Sequence, residues 1–281
     1  MVGLDDLQKI KDTDVKSVWA IFVSYVKRKY VISIILPVFV IILAGWLTYL
    51  TKIPHIVVVS IMLAFGMFAF FWQKAMGDFL KHFASDIGYK YEDSGDVSSV
   101  DGTIFDFGHN QNISKIVYGK YFDQDTRLFI FSTVVGSGKN KHTESYSALE
   151  IFFDTMLPNI LLNNRKTWFN SMALLVDNEK KLTLEGDFQK YFTLYVTKEY
   201  ELEATQIFTP EIMQMFIDKA GKISVEMYKN KVYLYYPNEI TKKDQLVSIY
   251  SLAKEIILEL GKKFSLMKDD VEDMSKYAKL T

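Results

Sequence analysis

Val31 to Leu50 reads VISIILPVFVIILAGWLTYL, 20 residues without a charge, and Ile56 to Trp72 reads IVVVSIMLAFGMFAFFW, 17 more. Only Thr51-Lys52-Ile53-Pro54-His55 separates them. At about 1.5 Å of rise per residue, the first run spans roughly the 30 Å of a bilayer's hydrocarbon core. The second is at the short end, and Ile53 and Pro54 extend it. Proline suits a first helical turn, where its missing N–H is no loss. Pro37, inside the first run, is tolerated in a membrane helix. Two such runs so closely joined predict a transmembrane helical hairpin over residues 31–72 in preference to a buried hairpin of a water-soluble core. A secretory signal is a poor match, because the first run starts far from the terminus and lacks a small-x-small cleavage site. Trp46, Tyr49, Phe70, Phe71 and Trp72 gather near the span ends, as interfacial aromatics do.

Charge orients the hairpin. Lys16, Lys27, Arg28 and Lys29 precede it, Lys74 and Lys81 follow it, and the connection holds Lys52 alone. The positive-inside rule then places both termini in the cytoplasm and makes the protein multi-pass, with Lys27, Arg28, Lys29 and Lys74 as the orienting residues. Neither run contains an ionisable residue, so an anchor is expected instead of a conduction path.

Outside the hairpin the expectation is α+β. Residues 1–30 hold an amphipathic helix over Asp14–Tyr30, capped at Thr13 or Asp12, with Val15, Val18, Trp19, Phe22 and Val26 on one face. Met76, Phe79, Leu80, Phe83 and Ile87 continue the second span as a single rod that Gly88 ends. The remainder, 73–281, reads as a cytosolic antiparallel-sheet domain with flanking helices. Strands are expected at Thr103–Gly108, Ser114–Tyr121, Thr126–Val135, Tyr146–Phe153, Asn159–Leu162, Lys181–Glu185 and Tyr191–Val196. A hairpin follows around Lys229-Asn230. Helices are expected at Glu201–Phe208, from Thr209-Pro210 to Gly221, and from Thr241 onward, where Leu246, Ile249, Ala253, Ile256 and Leu260 form one apolar face. The weakly patterned stretch 163–178 marks a subdomain boundary, and the charged tail from Lys268 frays.

Leu184-Glu-Gly-Asp-Phe-Gln-Lys-Tyr-Phe192 and Ile207-Phe-Thr-Pro-Glu-Ile-Met213 resemble segments of uncharacterised two-span membrane proteins of reduced-genome, candidate-phyla bacteria. More distantly, the layout is similar to a bacterial family of unknown function, some members of which are thought to accompany LemA-type membrane proteins. The resemblance covers most of the chain and implies the same hairpin and cytosolic α+β domain, with no catalytic residues to carry over. Arginine is scarce (three among 33 basic residues), which fits an AT-rich bacterial genome and hence a bacterial inner membrane.

Signatures of chemistry are sparse. With no cysteine, disulfides, thiol catalysis and thiolate metal sites are excluded. The four histidines have no metal-ligand spacing, so neither metal nor cofactor is expected. Gly136-Ser-Gly-Lys139 falls short of a phosphate loop: position 133 is Thr, Asn140 follows the lysine, and the stretch joins two strands. Glu185 and Asp187 flank Gly186, and strand alternation would bring them together for general acid–base work, though a polar turn is the plainer reading. There is no G-x-S-x-G elbow. With 33 basic and 34 acidic residues the chain lacks a nucleic-acid footprint, and its many aromatics suit sheet packing or a protein interface. The expected function is thus a membrane anchor whose cytosolic domain binds a protein partner or a second copy of itself. The alternatives are a membrane-tethered enzyme with a site of chain-distant residues and a small oligomeric channel.

Overall fold

A computed structural model describes residues 4–29, 34–52, 55–167, 179–184 and 186–264. It divides into two compact units. One comprises Asp14–Phe83 with Thr241–Lys243. The other comprises Met1–Thr13, Ala84–Ile240 and Asp244–Thr281.

The first unit is helical. Helix α2 (Val18–Arg28; α1 is Leu4–Asp12, in the other unit) is capped by Ser17, whose Oγ accepts the Ala20 N–H at 3.3 Å. The cap expected at Thr13 or Asp12 is displaced, because the Thr13 hydroxyl turns back to the Ile10 carbonyl and closes α1 instead. Phe22 of α2 packs edge-on against Phe68 and Trp72 of α4 (His55–Ile87) at 4.9 and 5.9 Å between ring centres. The Tyr25 hydroxyl donates to Asp78, and Lys74 lies over the Tyr25 ring.

Helix α3 (Leu36–Thr51) is apolar throughout but only 16 residues long, and residues 30–33 of the expected first span lie outside the described residues. Helix α4 has 33 residues, roughly 50 Å of continuous rod. Among the described residues it is the one helix long and apolar enough to cross a membrane. The buried positions on the apolar stretches of α3 and α4 are the small residues Ala44 and Ser60. Gly88 ends α4 at φ +76°, which lets the Tyr89 N–H reach back to the Ala84 carbonyl at 2.7 Å.

The second unit holds one antiparallel sheet of nine strands: β1 (Lys90–Gly95), β2 (His109–Tyr121), β3 (Gln124–Val135), β4 (His142–Phe152), β5 (Ile160–Asn164), β6 (Glu179–Leu182), β7 (Phe192–Thr197), β8 (Ser224–Tyr228) and β9 (Lys231–Tyr236). Their spatial order is β1-β2-β3-β4-β9-β8-β5-β7-β6. The first four form a meander. The β8–β9 hairpin, turning at Lys229 with φ +54°, then slots between β4 and β5. Strand β5 pairs with both β7 and β8, so strands on either side of 163–178 join one sheet; 168–178 themselves lie outside the described residues.

Alternation buries both faces at the centre of the sheet. Phe129, Phe131, Ala148, Tyr233 and Tyr235 form one face, and Leu128, Ile130, Leu149, Ile151, Val232 and Leu234 the other. Helix α8 (Lys243–Glu255, extended by a π-turn through Leu260) buries the expected stripe of Leu246, Ile249, Ala253, Ile256 and Leu260.

The segment Val97–Asp106 departs from expectation. Thr103–Asp106 is a 3₁₀ turn instead of a strand. Phe105 anchors it: the ring inserts among Phe129, Phe131, Tyr233 and Tyr235 at 5.0 to 5.9 Å, while the Gln111 side chain donates to the Phe105 and Phe107 carbonyls. The segment therefore caps a face of the sheet and adds no edge to it.

The stretches around Phe188 and Phe208 meet. Phe188 and Phe192, in and after helix α5 (Phe188–Tyr191), contact Phe208 and Phe216 near helices α6 (Glu201–Ile207) and α7 (Pro210–Lys219), with ring centres 5.1 to 6.3 Å apart. The aromatic residues of both stretches thus have a packing role.

Candidate functional site

The pairing register aligns one residue from each strand in a single row across the sheet: Lys90, Tyr118, Arg127, Glu150, Tyr233, Glu226, Leu161, Tyr195 and Lys181. Four successive members at its centre are polar and buried. Arg127 Nε lies 2.6 Å from Glu150 Oε2, and the Tyr233 hydroxyl donates to Glu150 Oε1 at 2.8 Å. Lys231 Nζ bridges Glu150 and Asp101 at 3.2 and 2.5 Å. One step along, Glu226 accepts the Thr103 N–H at 2.7 Å and the Tyr235 hydroxyl at 2.5 Å.

These groups fasten the Val97–Asp106 segment to the sheet, since Arg127 also donates to the Ser99 hydroxyl and carbonyl. Burial works against the Asp101 charge, but hydrogen bonds from Lys229 and Lys231 outweigh it and hold the carboxyl below its ordinary range. Burial pushes the Glu226 carboxyl up, beyond what its hydrogen bonds from Thr103 and Tyr235 offset. Both oxygens of Glu150 and both of Glu226 thus have partners supplied by the fold, and the network acts as a latch.

A separate cleft of about 570 Å³ opens where β4 outruns β9. One wall is the first part of β4, His142 to Tyr146. The opposite wall carries Lys166, Thr167 and Lys222, and Tyr236, Pro237, Asn238 and Gln245 line the rest. The lysine wall is held by buried amides. The Asn164 side chain donates to the carbonyls of Gly221 and Ile223 at 3.1 and 3.3 Å and accepts the Lys166 N–H at 3.0 Å. The Ser224 hydroxyl accepts the Asn164 N–H and donates to Asn163. On the β4 wall, Glu144 takes hydrogen bonds from Tyr146 and from His142 Nε2 at 3.1 Å. That bond and the Asn140 carbonyl raise the His142 pKa above 6.5.

The sequence-based candidates fall elsewhere. Asp187 stands exposed in the turn before α5, paired with Lys190 at 2.8 Å, and Glu185 lies outside the described residues. Strand β6 ends at Leu182, so Asp187 has no place in the strand alternation that was to pair the two carboxylates. Gly136-Ser-Gly-Lys139 is a connection between β3 and β4, and a Cβ on Gly136, at φ +85°, would lie 2.5 Å from the Asn140 carbonyl oxygen. The glycine serves the turn. Lys27 and Arg28 occupy the exposed last turn of α2, Lys29 caps it, and Lys74 is on α4.

The geometry defines an α+β protein with a large antiparallel sheet, flanking helices and a long apolar helix. No family model matches the chain, and no curated protein matches it. Among solved structures the chain is similar to a crystal structure of the mycobacterial trehalose monomycolate transport factor A, TtfA, at 10% identity and a TM-score of 0.43, over 65% of this chain and 94% of that one.

Proposed function

We propose that the chain is a bacterial inner-membrane protein, anchored by the α3–α4 hairpin with both termini in the cytoplasm, whose α+β domain works by binding a protein partner. We place it with the two-span membrane proteins that its Leu184–Phe192 and Ile207–Met213 segments resemble. One observation carries the anchor: large apolar side chains stand exposed along both helices, including Ile42 at 66%, Phe39 at 59% and Phe65 at 71%. Water-soluble surfaces rarely expose contiguous apolar area on that scale, whereas a bilayer covers it. Partner binding is favoured over chemistry because the buried acids of the sheet are committed to the latch, while the open cleft presents surface lysines and strand backbone.

The test is capture. A C-terminally tagged chain, gently solubilised from native membranes, retains a stoichiometric protein identified by mass spectrometry, and loses it when residues 73–281 are removed. Background proteins alone, from folded and membrane-inserted material, would overturn the partner reading. Because the chain has no cysteine, single introduced thiols report sidedness cleanly. Thiols near Lys16 and after Gly88 label from the cytoplasmic side, and one at Lys52 labels from the other; any other pattern rejects the topology.

A further inference from the structure

We propose that the open side of β4 at Thr143–Ser145 takes an extended acidic peptide as an added strand, a reading that deepens the partner-binding proposal and rests on it. Strand β4 is paired with β3 from Ile151, opposite Thr126, to His142, opposite Val135. With β9 it is paired only from Ser147, opposite Tyr236. Beyond that point the chain leaves the sheet through Pro237 and Asn238, the latter at φ +92°.

The Ser147 N–H points to the β9 side, where it donates to the Asn238 carbonyl at 3.1 Å. Pairing with β3 is regular here, so alternation directs the N–H and C=O groups of Ser145 and Thr143 to that same side. Among the described residues nothing pairs with them there, and the space they face is the cleft. An unpaired strand edge bordering a groove is the geometry of strand addition: backbone hydrogen bonds supply affinity and the flanking side chains supply selectivity.

Charge selects the occupant. Lys166 and Lys222 line the facing wall, exposed, while Lys139 and Lys141 stand exposed in the connection just before β4. The carboxylate of this wall, Glu144, is already held by His142 and Tyr146. A second copy of the same edge would set lysines against lysines, so self-pairing is opposed. A segment with carboxylates at alternate positions meets the lysines on one side and the Thr143–Ser145 backbone on the other.

The test uses the full chain in nanodiscs and a fluorescein-labelled octapeptide of alternating glutamate and valine. Binding is saturable, and hydrogen exchange slows at the amides of Thr143 and Ser145. The double variant K166E/K222E weakens binding about tenfold, as expected for two exposed ion pairs. A peptide N-methylated on the pairing edge loses binding without any change to the protein, and Ser145→Pro, which removes one outward N–H, does the same from the other side. Equal binding of the N-methylated and parent peptides, or unchanged exchange at Thr143 and Ser145, overturns strand addition. Capture of a cellular partner that Ser145→Pro does not disturb rejects this edge and leaves the partner reading intact. Peptide-dependent protection of these amides without any captured protein supports the edge and counts against that reading.

Discussion

Arg127 and Glu150 face each other on β3 and β4, with Nε and Oε2 2.6 Å apart and both side chains at least nine-tenths buried. Two charges removed from water in this way are sustained by each other, by the Ser99, Lys231 and Tyr233 contacts around them, and by the Phe129 ring against the Arg127 guanidinium. Replacing Arg127 by Met leaves Glu150 with less than its full set of donors. The expected loss is about 3 kcal/mol, the lower part of the range for a broken buried pair, because Lys231 remains. The double variant R127M/E150L recovers most of it. Thermal unfolding of the reconstituted protein checks both, and a double variant no better than R127M would refute the account.

Glu226 makes stability depend on pH. Its folded pKa lies above the 4.5 of the unfolded chain, so the native state binds that proton more tightly. The associated stability is complete below pH 4.5 and drains away as the pH climbs through the raised folded value. Glu226→Gln keeps an acceptor for the Thr103 N–H and abolishes the titration. Unfolding free energies measured against pH should therefore show the variant gaining on the wild type as pH rises above 4.5; a constant gap would show that Glu226 does not titrate with folding.

His142 titrates in the opposite chemical class with the same sign. Its hydrogen bond to Glu144 raises its pKa above 6.5, so the pair's contribution is present below pH 6.5 and lost as pH rises through the folded value. Glu144→Gln brings the His142 pKa back toward 6.5, which histidine side-chain NMR resolves directly.

Gly119 lies under the ring of Tyr89: a Cβ there would come within 2.3 Å of Tyr89 Cγ. The same tyrosine donates its hydroxyl to the Lys120 carbonyl. Gly119→Ala must lift the ring and lose that bond. The expected penalty is about 1–3 kcal/mol, the scale of local overpacking. Tyr89→Ala in the same background should make the alanine at 119 nearly neutral, and a melting temperature that ignores this pairing would discount the contact.

Much of the architecture is legible from local pattern. Helix α8 follows from a strict 3,4 spacing, α7 from Thr209-Pro210, and the β8–β9 turn from Lys229-Asn230 between two β-rich runs. Each of those signals sits within about fifteen residues. Thr103–Gly108 misleads because Ile104-Phe105-Asp106-Phe107 has strand-forming composition, while Phe105 is held by aromatics of β3, more than 20 residues away, and of β9, more than 120 residues away. Strand β1 escapes notice because Lys90, Glu92, Asp93 and Ser94 give an edge strand no apolar alternation. The cleft is invisible in sequence for a related reason: His142–Tyr146, Lys166, Lys222 and Tyr236–Gln245 become neighbours only when the β8–β9 hairpin is inserted between β4 and β5.

That same charged β1 has a consequence for crowding. It closes one border of the sheet and exposes Lys90, Glu92 and Asp93 along it. At high local concentration, collisions between like surfaces are frequent and a flat, apolar border would invite fibre-like stacking. A border of solvated charges must give up its hydration before it can pair with a second copy of itself, and that cost opposes edge-to-edge stacking of the sheets.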